Sequence, residues 1–120
     1  MTYINLTPHE IVLHKPDGTT VSFPPSGKVA RVLEQAVSVG PWHRHDHPVR
    51  VIYPGGCVEG LPESPGEVFH TIYIVSALVA MDPSVRWRDD VVAPDTNLGA
   101  IRDDFGKIIG TQNFVMYAPY

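Results

Sequence analysis

The chain has one cysteine, Cys57, in 120 residues. It can close no internal disulfide and build no cysteine-rich zinc site, and a reducing cytoplasm is the expected compartment. No apolar run approaches the roughly 20 residues that a membrane helix needs. Met1 to Leu6 has neither a basic start nor a long apolar stretch, so no secretory leader is expected. Charge is sparse, at 18% of residues, and tilts acidic, with nine Lys and Arg against thirteen Asp and Glu for a net charge of −4. Nonspecific nucleic-acid binding runs on Lys and Arg neutralising phosphates, so that class is disfavoured. Catalytic signatures are also missing. No HExxH pattern occurs, and Ser26-Gly27-Lys28 lacks the leading glycine and residue order of a phosphate loop. Ser76 follows an apolar run like a nucleophile elbow, but Ile74 and Leu78 stand where that elbow needs glycine.

Turn formers are abundant. Ten glycines and twelve prolines cut the chain into pieces of 5 to 12 residues, the rhythm of short strands joined by turns. Strands are expected at Tyr3 to Leu6, Ile11 to His14 and Thr19 to Phe23, with a hairpin turn at Pro16-Asp17-Gly18. Lys28 to Val39 is expected as one longer strand with a bend or bulge. Others follow at Val49 to Tyr53, Ala100 to Arg102, Lys107 to Gly110 and Phe114 to Tyr117. Ile72-Tyr73-Ile74-Val75 is apolar at every position and β-branched at three, as in a strand buried on both faces. Ser76 is expected to cap a short helix, Ala77 to Met81, closed by Pro83. The sum is a single domain over 1–120, mainly β. It is a small barrel- or sandwich-like fold of short antiparallel strands with one short helix near 76–82.

Two constellations carry chemistry. In Trp42-His43-Arg44-His45-Asp46-His47, an extended backbone would put His43, His45 and His47 on one face. Three imidazoles could hold Zn²⁺ with an open position for water. Adjacent positions on one strand wrap an ion poorly, so a solvated loop is the preferred reading. The second constellation is Arg86-Trp87-Arg88-Asp89-Asp90, Pro94-Asp95 and Arg102-Asp103-Asp104. Arginine grips phosphate or carboxylate through paired hydrogen bonds, and aspartates can take ribose hydroxyls. The competing structural reading is Arg–Asp pairs that satisfy one another. Thr7 is expected to cap a turn rather than act as a nucleophile with His9. Cys57 is expected to be a buried or inert thiol, and Asn5-Leu6-Thr7 a chance sequon.

Several blocks together resemble a group of small phage- and prophage-type proteins: Asn5 to His9, Phe23 to Val32, Gly60-Leu61-Pro62, Tyr73 to Ala80, Arg88-Asp89-Asp90, Pro94-Asp95 and Arg102 to Gly110. The His-rich stretch is not part of that pattern. The resemblance implies an accessory protein that antagonises host defence. The expectation is therefore a noncatalytic protein that sequesters a small anionic, nucleotide-like ligand with Arg88, Asp90, Asp95 and Arg102. His9 and Ser76 would assist, and Trp87 would stack on a base. A homo-oligomer would enclose such a ligand more readily than one short chain. The alternatives are an inhibitor that binds a host protein directly and a metal-dependent hydrolase built on His43, His45 and His47.

Overall fold

A run with no polar face needs cover on both sides, and Thr71–Ile74 with Val75 receives it. The computed structural model describes residues 1–33, 35–39, 49–53, 57–66 and 68–118. Strands β1 (Thr2–Asn5), β2 (Ile11–His14), β3 (Thr20–Phe23), β4 (Arg31–Val32), β5 (Gln35–Val39), β6 (Val49–Tyr53) and β7 (Val58–Glu59) precede the central strand β8 (Thr71–Ile74). Helix α1 (Ala77–Met81) follows, then β9 (Val91–Pro94), β10 (Ala100–Arg102), β11 (Ile108–Thr111) and β12 (Phe114–Val115).

The first four-stranded sheet has the order β1-β8-β9-β12. Side chains alternate across a strand, and here the alternation sorts residues into two clusters. Ile4 and Leu6, Tyr73 and Val75, and Val91 and Ala93 face one way, onto Val79 and Ala80 of α1 and onto Ala30 and Val85. Ile72, Ile74 and Val92 face the other way, onto Ile11, Phe23, Phe69 and Phe114. Each fully buried aliphatic side chain contributes about 1.5–3 kcal/mol, and Val75 and Ile74 are fully buried on opposite faces. Phe23 and Ile11 come from the second sheet, of order β10-β11-β2-β3. The described strands form layered sheets and no closed barrel.

The expected antiparallel pairing holds for β2–β3, β10–β11, β4–β7, β5–β6 and β12–β9. It fails at the centre, where β1–β8 and β8–β9 are parallel, as is β11–β2. Parallel neighbours need a crossover connection, and α1 with the loop after it supplies one between β8 and β9. Helix α1 spans the expected residues, with Ser76 Oγ accepting from Val79 N–H at 3.4 Å.

The expected long strand from Lys28 to Val39 is split into β4 and β5. The segment before β4 crosses the edge of β1 instead, with Ser26 N–H on Asn5 O at 3.1 Å and Ala30 N–H on Leu6 O at 2.9 Å. Gly60 holds this crossing close. Its φ is +80°, and a Cβ there would stand 2.5 Å from Val29 O, so no side chain fits.

Candidate functional site

Asn5 and Arg88 prove to be joints of the fold. Asn5 is buried at the end of β1. Its Nδ2 donates to His9 O at 2.8 Å and Phe23 O at 2.9 Å. Its Oδ1 accepts from Thr7 N–H at 2.9 Å and Thr7 Oγ1 at 2.7 Å. One amide thus ties the turn after β1 to the end of β3. Thr7 and His9 enter this knot through the Thr7 hydroxyl and the His9 carbonyl, at 3.0 Å. The hydroxyl is engaged as in a turn cap, and the sequon asparagine is held inside the protein.

Arg88 sits in the loop between α1 and β9, 8% exposed, with Asp90 2% exposed at the start of β9. Arg88 Nε and NH2 grip Asp90 Oδ1 and Oδ2 at 3.0 and 2.8 Å. Its NH1 donates to Pro62 O at 2.7 Å. This is a bidentate, charge-assisted pair whose third bond clamps the Gly60–Pro62 loop to the sheet. Asp90 O also accepts from Tyr73 N–H at 2.8 Å, so the pair is anchored in the first sheet.

Asp95 lies at the other end of β9, about 16 Å of extended strand away from Asp90. Its Oδ1 accepts from Asn97 N–H at 2.9 Å, and its Oδ2 from Asn113 Nδ2 at 3.2 Å. Thr111 Oγ1 donates to Asp95 O at 2.8 Å. Arg102 is exposed in the second sheet and donates from NH1 to Gly106 O at 2.7 Å. Ser76 caps α1, and Trp87 is exposed. The seven predicted residues therefore stand in separate local clusters. No hydrogen bond or ion pair among the described residues links Arg88 and Asp90 to Asp95 or to Arg102. His43, His45 and His47, with Trp42, lie outside the described residues. Cys57 is exposed, which excludes the buried form of the expected buried or inert thiol.

Two turns stand out at either end of β10: Asp103 to Gly106, which carries a hairpin signal in the sequence between the expected strands Ala100 to Arg102 and Lys107 to Gly110, and Asp95 to Gly99, whose apolar tip sequence reasoning passed over. The turn between β10 and β11 is fixed by Asp103. Its Oδ1 accepts from Phe105 N–H and Lys107 N–H, both at 2.9 Å. Asp103 N–H donates to Lys107 O at 2.9 Å, and Gly106 N–H to Asp103 O at 3.0 Å. Gly106 takes φ +82°, a conformation that favours glycine. This turn holds Phe105 96% exposed. Before β10, the Asp95-anchored turn is further tied by Ala100 N–H on Asn97 O at 3.2 Å and Gln112 N–H on Gly99 O at 2.8 Å. It holds Leu98 93% exposed. A shift in the β10–β11 register between Ile101 and Arg102 accompanies exposed Ile108 and Ile109. The available sequence signal was a large apolar residue inside an Asp- and Gly-built turn, at Asp103-Asp104-Phe105-Gly106 and Asp95-Thr96-Asn97-Leu98-Gly99.

No protein-family model matches the chain, nor does any curated protein or solved structure. Among the described residues no helix is long and apolar enough to cross a membrane, and none of them form a cluster of three or more His, Cys, Asp or Glu able to hold a metal ion.

Proposed function

We propose that this is a noncatalytic binding protein whose partner is another protein, gripped by the apolar loop tips around β10. The observation that carries this reading is the exposure of Phe105 and Leu98 on turns whose backbones are already hydrogen-bonded. Turn backbones that are already ordered lose little further entropy on docking, and buried aromatic anchors dominate protein interfaces. Anion sequestration has less support. Capture of phosphate by Arg88 would compete with its two bonds to Asp90. A lipid surface is disfavoured too, because Asp103 and Asp104 adjoin Phe105 and the chain is acidic overall, whereas cytoplasmic leaflets are anionic. The resemblance to phage-type proteins makes a host protein the expected partner, bound as an inhibitor binds its target.

The test compares wild type with the double variant Phe105→Ser, Leu98→Ser in capture from bacterial lysate. One protein retained in stoichiometric amount by wild type and lost by the variant is the expected result. Equal capture by both would remove the loops from the interface. Native mass spectrometry that found a nucleotide or a metal ion retained one-to-one, with no protein partner, would overturn the reading altogether.

A further inference from the structure

Outer strands invite pairing, and folded proteins blunt them with charge, proline, bulges or brevity. Three of the four outer strands in the two large sheets are blunted in these ways. β10 carries Arg102 beside a break in register. β12 is two residues long. β3 runs straight into Pro24-Pro25, which lack the N–H groups to continue a ladder. β1 has none of these devices. Met1-Thr2-Tyr3-Ile4-Asn5 has no charged side chain and no proline, and its register with β8 is regular over all four residues.

The direction of its free backbone groups follows from the ladder. Thr2 N–H donates to His70 O at 2.9 Å and Leu6 N–H to Ile74 O at 2.8 Å, so even-numbered residues bond towards β8. Odd-numbered residues then point outward, as Asn5 confirms by accepting from Ser26 N–H on that side. The crossing segment covers the edge at Asn5 and just beyond it, where Ala30 N–H donates to Leu6 O at 2.9 Å. Among the described residues nothing pairs with the outward N–H and C=O of Tyr3. Met1 and Tyr3 are 73% and 43% exposed, with the Tyr3 ring resting on its own chain's Phe23 and Phe114 at centroid distances of 5.4 and 6.1 Å.

We infer that this edge pairs with the same edge of a second copy, antiparallel about a two-fold axis at Thr2. In that register Met1 exchanges backbone bonds with the second copy's Tyr3, and Tyr3 with its Met1, while Thr2 faces Thr2. The segment is self-complementary: it brings no charged side chains together, and it sets the Met1 thioether against the Tyr3 ring twice, a favourable contact. It stops short of Asn5, where the crossing segment stands. The first sheet becomes eight strands in the dimer, within the size that twisted sheets reach.

Proline and alanine at position 3 separate this pairing from simple loss of the ring. Both remove the ring, with its contact to the second copy and its packing on Phe23 and Phe114, but only proline removes the outward N–H, and β8 does not use that N–H. By sedimentation at high micromolar concentration, wild type is a dimer, Tyr3→Ala a weaker dimer and Tyr3→Pro a monomer. A monomeric wild type, or a Tyr3→Pro variant as dimeric as Tyr3→Ala, overturns the inference. Should Tyr3→Pro fail to fold, Thr2→Cys in a Cys57→Ser background decides. Facing residues in a pair that does not exchange hydrogen bonds lie about 4.5 Å apart, within disulfide reach. Mild oxidation then gives a cross-linked dimer, while Thr20→Cys on the edge of β3 stays monomeric, and equal cross-linking of the two would count against the two-fold. The Phe105→Ser, Leu98→Ser variant keeps the dimer, so this test is independent of the one for the partner protein.

Discussion

Arg88 and Arg102 are each followed closely by two aspartates, yet the two regions have opposite characters. Arg88 is buried, reaches across to Asp90 and Pro62, and holds three parts of the chain together. Arg102 is exposed and, among the described residues, bonds only the carbonyl of Gly106 within its own hairpin. The second aspartate after Arg88, at position 90, is an ion-pair partner. The first after Arg102, at position 103, accepts backbone N–H groups and shapes a turn. A guanidinium next to acidic residues thus says nothing by itself about ligand binding. Burial decides whether the pair is a structural clamp or part of a surface feature that other molecules can touch.

The comparison is easiest to break at the buried end. Arg88→Ala strands the Asp90 carboxylate without its partner, and breaking a buried pair in this way costs about 3–5 kcal/mol. Urea or thermal unfolding should show that loss, and a stability within about 0.5 kcal/mol of wild type, the range of ordinary surface changes, would show that Asp90 is not truly buried with Arg88. At the exposed end, Asp103→Ala removes the acceptor of two backbone N–H groups. A loss of about 1 kcal/mol is expected, with faster amide exchange confined to Phe105 and Lys107. Exchange unchanged at those amides would mean that the turn carrying Phe105 is held by other contacts.

The smallest effect sharpens the comparison with a third aspartate turn, at Asp17. Its carboxylate accepts from the Thr19 hydroxyl at 2.6 Å and from Thr19 N–H at 2.9 Å. The Thr19 hydroxyl, then the Thr19 backbone N–H, lowers its pKa below the usual 3.8. A carboxylate with a depressed folded-state pKa adds stability above 3.8, and that contribution fades as pH falls through the lowered value. An NMR titration should place the Asp17 midpoint below 3.8, and Thr19→Val should raise it. A midpoint that ignores the substitution would assign the shift to the backbone bond alone.

Much of the fold could be read from the residues, for local reasons. Ile11 to His14, Val49 to Tyr53, Ala77 to Met81 and Ala100 to Arg102 lie where turn chemistry, capping and alternation put them. β9 was passed over because Val91-Val92-Ala93 is a short apolar insert in a polar stretch, with only three residues of pattern. Its importance comes from lying beside β8, a contact between distant parts of the chain. The candidate site was less legible. The arginines drew attention through their chemistry, but Arg88 is committed to Asp90 and Pro62. Phe105 and Leu98 looked like ordinary turn residues, because apolar residues in turns are most often partly covered.

The local elements are written in the residues themselves: hairpin turns at Asp17-Gly18 and Asp103 to Gly106, the capped helix after Ser76 and the doubly buried strand at Ile72 to Val75. These follow from φ preferences, side-chain capping and periodicity, which act over a few residues. Long-range packing alone sets the central strands parallel, makes Asn5 and Arg88 interior joints and leaves Phe105 and the Tyr3 edge facing water. Those outcomes depend on which distant surfaces meet and which remain uncovered, and short-range preferences do not encode that balance.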